Sequence, residues 1–99
     1  MLVHTVFFWL KPGLSDADRQ TFRKGLESLA TIRSADQVYI GTPAATVKRP
    51  IIDTSYDFAL TVILKDIPSH DAYQVDPIHK EFIKNCASMW ARLQIYDAQ

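Results

Sequence analysis

A tyrosine and a histidine, Tyr73 and His79, flank the dipeptide Asp76-Pro77. A phenol can donate to a carbonyl or enolate oxygen, and an imidazole can take or give a proton near neutral pH. Residues at this separation do not share a face of one helix. Asp at an N-cap followed by Pro at the first helical position is, however, a helix start. The segment therefore predicts two short helical pieces that meet at an angle and aim both side chains into one space.

Two further polar groups belong with this pair: His4 inside an apolar run and Asp97 near the end of the chain. His79, in the first turn of its helix, feels the positive end of the dipole, which favours the neutral ring. A carboxylate such as Asp97 would favour the imidazolium and orient it. That balance suits a general acid or base, with Tyr73 as hydrogen-bond donor and His4 orienting or protonating a substrate. Phe8 and Phe58 are the expected apolar walls, and they would select an apolar part of a small-molecule ligand.

Each group also has a plainer role open to it. His4 can be a hydrogen-bonded core histidine, the Tyr73 hydroxyl can sit in water at the sheet edge, and His79 and Asp97 can be solvated surface residues. His4, His79 and Asp97 also make a set of two histidines and one carboxylate for a metal. No ligand-spaced local motif such as H-x-x-x-H supports that set, so neither a metal nor a cofactor is expected. His70, among polar neighbours, is expected to be exposed.

The elements that must position these residues are legible from punctuation and periodicity. Leu2 to Leu10 is rich in β-branched and aromatic residues and ends at Lys11-Pro12-Gly13, a strand followed by a turn. Ser15-Asp16-Ala17-Asp18 opens a helix that runs to about Ala30, with Phe22, Leu26 and Leu29 on one face. Gly25 in its interior costs about 1 kcal/mol, which predicts a close approach to the backbone there, or a void beside it. Gln37 to Thr42 reads as a second strand, 43–54 as a surface loop and Tyr56 to Leu64 as a third strand. Ser69 is the expected cap of the short helix that holds Tyr73. A longer helix from Pro77 to about Met89 should bury Ile78, Phe82, Ile83 and Cys86, and Arg92 to Asp97 closes the chain as a fourth strand.

The order β-α-β-β-α-β is the ferredoxin-like pattern, an α+β fold with a four-stranded antiparallel sheet whose first and third strands are central. In that topology His4, Tyr73, His79 and Asp97 fall at one end of the molecule. Both central strands are apolar on both faces, whereas two helices can cover only one. The uncovered face predicts a homodimer in which two sheets pack as a barrel, a dimeric α+β barrel. Trp9 and Trp90 are expected in the core or on the dimer face.

Ninety-nine residues suffice for one domain, 1–99. With 11 basic and 11 acidic side chains the formal net charge is zero, and no run of like charge suggests nucleic acid or an anionic membrane surface as a partner. Cys86 is the only cysteine, which leaves no internal disulfide and predicts a buried, inert thiol. No basic, then apolar, leader pattern precedes the first strand, so a cytoplasmic location is expected.

With these features the chain resembles the stress-responsive A/B barrel (Dabb) proteins of the dimeric α+β barrel superfamily. The pieces that carry the resemblance are His4-Thr5-Val6-Phe7-Phe8 with Lys11, Tyr56-Asp57-Phe58-Ala59-Leu60, Ala72-Tyr73 with Asp76-Pro77-Ile78-His79 and Phe82, and Tyr96-Asp97. The resemblance implies the homodimeric barrel. It also implies, from a polyketide-cyclase branch, that residues matching Tyr73 and His79 do acid-base work, helped by one matching Asp97, with His4 matching a pocket histidine. Where that branch has a histidine at the head of the third strand this chain has Asp57, and where it has a pocket tyrosine on the first helix this chain has Gly25 or Leu26. The expectation is then a cofactor-free proton transfer of the cyclase, isomerase or lyase kind on a small carbonyl compound. The alternative is a non-catalytic, stress-responsive or ligand-binding dimer.

Overall fold

Strand β1, Leu2–Leu10, alternates perfectly in burial: Leu2, His4, Val6, Phe8 and Leu10 are buried, and Val3, Thr5, Phe7 and Trp9 are half-buried. Because side chains alternate across a strand, the first set faces the helices and the second the opposite face. A computed structural model describes residues 1–99. It orders the elements as β1, α1 (Asp16–Ser28), β2 (Ala35–Gly41), β3 (Phe58–Leu64), α2 (Ile67–Val75), α3 (Pro77–Cys86) and β4 (Trp90–Ala98). Short 3-10 turns at Leu29–Thr31 and Ala87–Met89 follow α1 and α3. The four strands form one antiparallel sheet in the order β2-β3-β1-β4, so β1 and β3 are central. This is the ferredoxin-like α+β fold.

Local chemistry accounts for the helix starts. Ser15 caps α1 and accepts from the Asp18 N–H, while the Asp18 carboxylate accepts from the Ser15 N–H, a reciprocal capping box. Asp76 caps α3 by accepting from the Ile78 N–H at 2.8 Å, with Pro77 at the first helical position. Ser69 is not the cap of α2. Asp66 is, accepting from the Ser69 N–H at 2.8 Å, and the helix begins earlier because Pro68 needs no donor partner in a first turn. Strand β4 begins at Trp90, ahead of Arg92, because a register shift between Trp9 and Leu10 lets Trp90 pair with Leu10. The loop between β2 and β3 is exposed through most of its length, as its polar, aperiodic sequence implies.

The core lies between the helices and the inner sheet face. Phe22 and Leu26 of α1, Tyr73 of α2, and Phe82 and Cys86 of α3 pack against Val6, Phe8, Phe58, Leu60 and Val62. Each fully buried large apolar side chain contributes about 1.5–3 kcal/mol. Ile78 is only half-buried and Ile83 is 39% exposed, because α3 crosses the sheet with Phe82 and Cys86 turned inward. No helix is long and apolar enough to cross a membrane.

Gly25 marks the contact of α1 with α3. A methyl group at that position would meet Cys86 Sγ at 2.7 Å and Phe82 Cδ1 at 3.1 Å, so close approach, and no void, accounts for the glycine. Burial raises the Cys86 thiol above its ordinary pKa, in keeping with a packing role. Gly25→Ala is expected to destabilise the protein by about 1–3 kcal/mol through overpacking, despite the better helix propensity of Ala. The double substitution with Cys86→Ala should recover part of that loss in denaturant titrations. A single Gly25→Ala that is as stable as the wild type would contradict the contact.

Candidate functional site

His4 enters the site from β1, whose register sets it opposite Asp97 of β4 and Val62 of β3. Apart from the Tyr73 phenol and the Cys86 thiol, it carries the only polar side chain among the buried residues, at 2% exposure. A buried imidazole needs a partner, and His4 Nδ1 lies 2.5 Å from Asp97 Oδ1, donating to the carboxylate. Asp97 thus orients His4. The pairing expected from the sequence, Asp97 with His79, does not form, because directly opposed strand residues meet while His79 stands on α3.

Tyr73 and His79 do come together across the Asp76-Pro77 break. Their ring centroids are 5.0 Å apart and nearly perpendicular, and the Tyr73 ring lies 5.9 Å from that of His4. Tyr73 is fully buried, so its hydroxyl does not reach water at the sheet edge. That hydroxyl has no hydrogen-bond partner in the protein. Burial pushes the phenol well above its ordinary pKa of 10.0, which keeps it a donor. Burial also lowers His79 below its ordinary 6.5, and the nearby His4 and His70 rings add to this, against an opposing pull from the Asp76 carboxylate. His79 is therefore a neutral imidazole at pH 7.

These groups border a cavity of about 110 Å³ lined mainly by apolar side chains, including Val6, Phe8, Leu60, Phe82 and Trp90, with the partly exposed Ile83 and Ile95 also on its wall. Its size is below the roughly 300–1,000 Å³ typical of sites for drug-sized ligands, so it suits a compound of few heavy atoms. Phe8 is one wall. Phe58 is not: it packs on Phe22 at 5.4 Å between centroids, with the Arg19 guanidinium over its ring. Asp57, where the cyclase branch has a histidine, accepts from the Leu10 N–H and from Arg19, and so ties the end of β1 to α1.

A second hollow, of about 180 Å³, lies on the opposite sheet face among Phe7, Trp9, Tyr56, Arg92 and Tyr96. There the Arg92 guanidinium stacks over Trp9 at 4.1 Å. It holds no buried polar group without a partner, and the candidate site is therefore the smaller cavity.

His70 is the group that the sequence pattern hid. Its side chain is only 18% exposed, its ring centroid is 5.2 Å from that of His4, and its Nε2 lies 3.9 Å from Asp97 Oδ2. The metal-competent set is accordingly His4, His70 and Asp97, with His70 in the place expected for His79. The available signal was spacing: His70 stands three residues before Tyr73, one turn away on the same face of α2.

Residues 2–99 match the stress responsive A/B barrel domain, Dabb. The chain belongs to this family. Solved structures that resemble it share the fold at low sequence identity. A Dabb family protein with a ferredoxin-like fold from Mesorhizobium loti is 21% identical, at a TM-score of 0.79 over 99% of this chain and 94% of that one. A dimeric ferredoxin-like protein of unknown function from Thermobifida fusca is 20% identical, at 0.79 over 98% and 88%. A hydroxynitrile lyase from Passiflora edulis is 16% identical, at 0.81 over 98% and 90%. No curated protein matches the chain.

In this Dabb chain the depressed His79 pKa has a definite sign. The unfolded chain binds the proton more readily than the folded one. The stability contributed by a neutral His79 is therefore full above about pH 6.5 and is lost as the pH falls below that value. An NMR titration of the ring nitrogens should place the His79 midpoint below 6.5. A midpoint at or above it would mean that a carboxylate, Asp76 or Asp97, contacts the ring in solution.

Proposed function

We propose that the protein is a homodimeric enzyme that moves a proton on a small carbonyl compound without a cofactor, in the manner of a cyclase, isomerase or lyase. The observation that carries this is Tyr73, which lines an apolar cavity beside His79 and whose buried hydroxyl has no protein partner. An orphaned buried donor costs about 1–3 kcal/mol, a cost that a ligand oxygen would remove. Tyr73, held protonated, donates to the carbonyl or developing enolate oxygen. His79, held neutral, takes the proton from the adjacent carbon or hydroxyl. The His4–Asp97 pair orients the substrate or returns a proton, and Phe8 packs against its apolar part. The likeness to a hydroxynitrile lyase supports the capacity of this fold for lyase chemistry.

Support for the dimer comes from the outer sheet face. Val3, Phe7, Trp9, Ala59 and Ile63 are half-buried there, and no helix of the chain covers them. A second sheet about 10 Å away would bury this face, and the Thermobifida fusca protein of the same fold is dimeric. Sedimentation should give twice the 11.3 kDa chain mass, and Phe7→Lys should give a monomer. A wild type that sediments as a monomer would overturn the dimer. The lone, buried Cys86 suits a reducing cytoplasm, where we place the protein.

Proton transfer can be tested before the physiological substrate is known. The protein is incubated in D2O with a panel of small aldehydes, ketones and β-dicarbonyl compounds, and with small hydroxynitriles, and α-proton exchange and bond cleavage are followed by NMR. Catalysed exchange or cleavage is expected with the wild type, and a loss of about 100-fold or more with His79→Gln and with Tyr73→Phe. Tyr73→Phe should be at least as stable as the wild type, since it removes a hydroxyl that has no partner. Variants that match the wild type, or binding of these compounds without turnover, would favour the non-catalytic ligand-binding dimer.

A further inference from the structure

His4, His70 and Asp97 come from β1, α2 and β4, and one ligand-capable atom from each lies within 4.8 Å of the others. Proton transfer at Tyr73 and His79 makes no use of His70. We propose that these three side chains bind a divalent first-row transition metal ion, zinc(II) above all. Two imidazole nitrogens and one carboxylate oxygen, with a fourth position left to water, are a donor set that zinc accepts.

The hydrogen bonds around His70 are what point to a cation. His70 Nδ1 is 3.1 Å from Asp71 Oδ1. An ionised carboxylate only accepts, so Nδ1 carries the hydrogen, and in the neutral ring Nε2 presents a lone pair. That lone pair and Asp97 Oδ2 stand 3.9 Å apart with no hydrogen bond between them, two acceptors that a shared cation would bridge. The Gln74 side-chain amide reaches Nε2 at 3.4 Å, a long contact that a metal would displace. A carboxylate behind a ligating imidazole fixes the tautomer and raises the basicity of the metal-facing nitrogen, and Asp71 stands where that role requires.

The third ligand, His4 Nδ1, already touches Asp97 Oδ1 at 2.5 Å; a metal bound there would take the place of its hydrogen, which in the neutral ring moves to Nε2. Tetrahedral zinc with bonds of about 2.0–2.2 Å spaces its donors roughly 3.3 Å apart. The adjustment falls on His70 and Asp97, which are less confined than the buried His4. Access exists, since an open hollow bordered by Leu2, Ile67, His70, Asp71 and Asp97 leads to the cluster from solvent. This site goes beyond the proton-transfer proposal and does not rest on it. The two share His4 and Asp97, and the His4 ring also borders the cavity, so a bound metal would couple to whatever occupies that cavity.

The test uses the full, tag-free chain, stripped of metal and titrated with zinc chloride at about pH 7.5 by calorimetry, with proton release measured in parallel. One zinc per chain is expected, with His4 and His70 ring nitrogens shifted in NMR spectra and those of His79 unmoved. His70→Ala should weaken binding at least 100-fold, and Asp71→Asn about 10- to 100-fold, both with unchanged metal-free Tm. His70 and Asp71 are chosen because substitution of the buried His4 endangers the fold. No saturable binding, equal affinity in His70→Ala, or zinc shifts at His79 in place of His70 would each overturn the site. Because no substrate is involved, zinc binding and proton transfer can succeed or fail independently.

Discussion

The register of β1 between β3 and β4 is the constraint from which the rest follows. With His4 opposite Asp97 and Val62, the inward set of β1 is Leu2, His4, Val6, Phe8 and Leu10. A slip by one residue would turn Val3, Phe7 and Trp9 toward the helices and carry His4 to the outer face, because strand side chains alternate strictly. The burial of Phe8, Leu60 and Val62 under α1 and α3 opposes that slip. The same apolar packing that stabilises the sheet thus holds an imidazole in the core and brings a carboxylate to it.

Helix placement adds the second half of the site. Gly25 lets α1 approach Cys86 and Phe82, which fixes α3 over the sheet. The Asp76-Pro77 break ends α2 and starts α3 with a change of direction, so Tyr73 and His79 meet although no single helix could align them. Burial then acts on both in the same sense: it disfavours the charged form, keeping the phenol protonated and the imidazole unprotonated. One donor and one acceptor of protons, both neutral at pH 7, face a cavity that is otherwise apolar.

Local pattern was sufficient for the strands, the capping at Ser15 and Asp76, and the gathering of His4, Tyr73, His79 and Asp97 at one end of the fold. It misjudged side chains whose surroundings depend on distant elements. Ile83 fits the helical period of a buried position yet is exposed, because the direction of α3 across the sheet decides which flank of its apolar stripe turns outward. Phe58 is as apolar as Phe8 but packs on Phe22, since it enters β3 at the end of the sheet remote from Asp97. His70 reads as a polar surface residue, and only the approach of α2 to the end of β4 places it beside Asp97.

Alternation and helix punctuation by themselves determined the α+β order, the central place of β1 and β3, the apolar outer face and the break between Tyr73 and His79. Those are properties of neighbours along the chain, and steric and capping rules act at that range. Tertiary structure alone decided that Asp97 pairs with His4, that the Tyr73 hydroxyl is buried without a protein partner, and that His70 lies beside His4 and Asp97. Those facts depend on distances between residues far apart in sequence, and such distances are set by sheet register and helix packing.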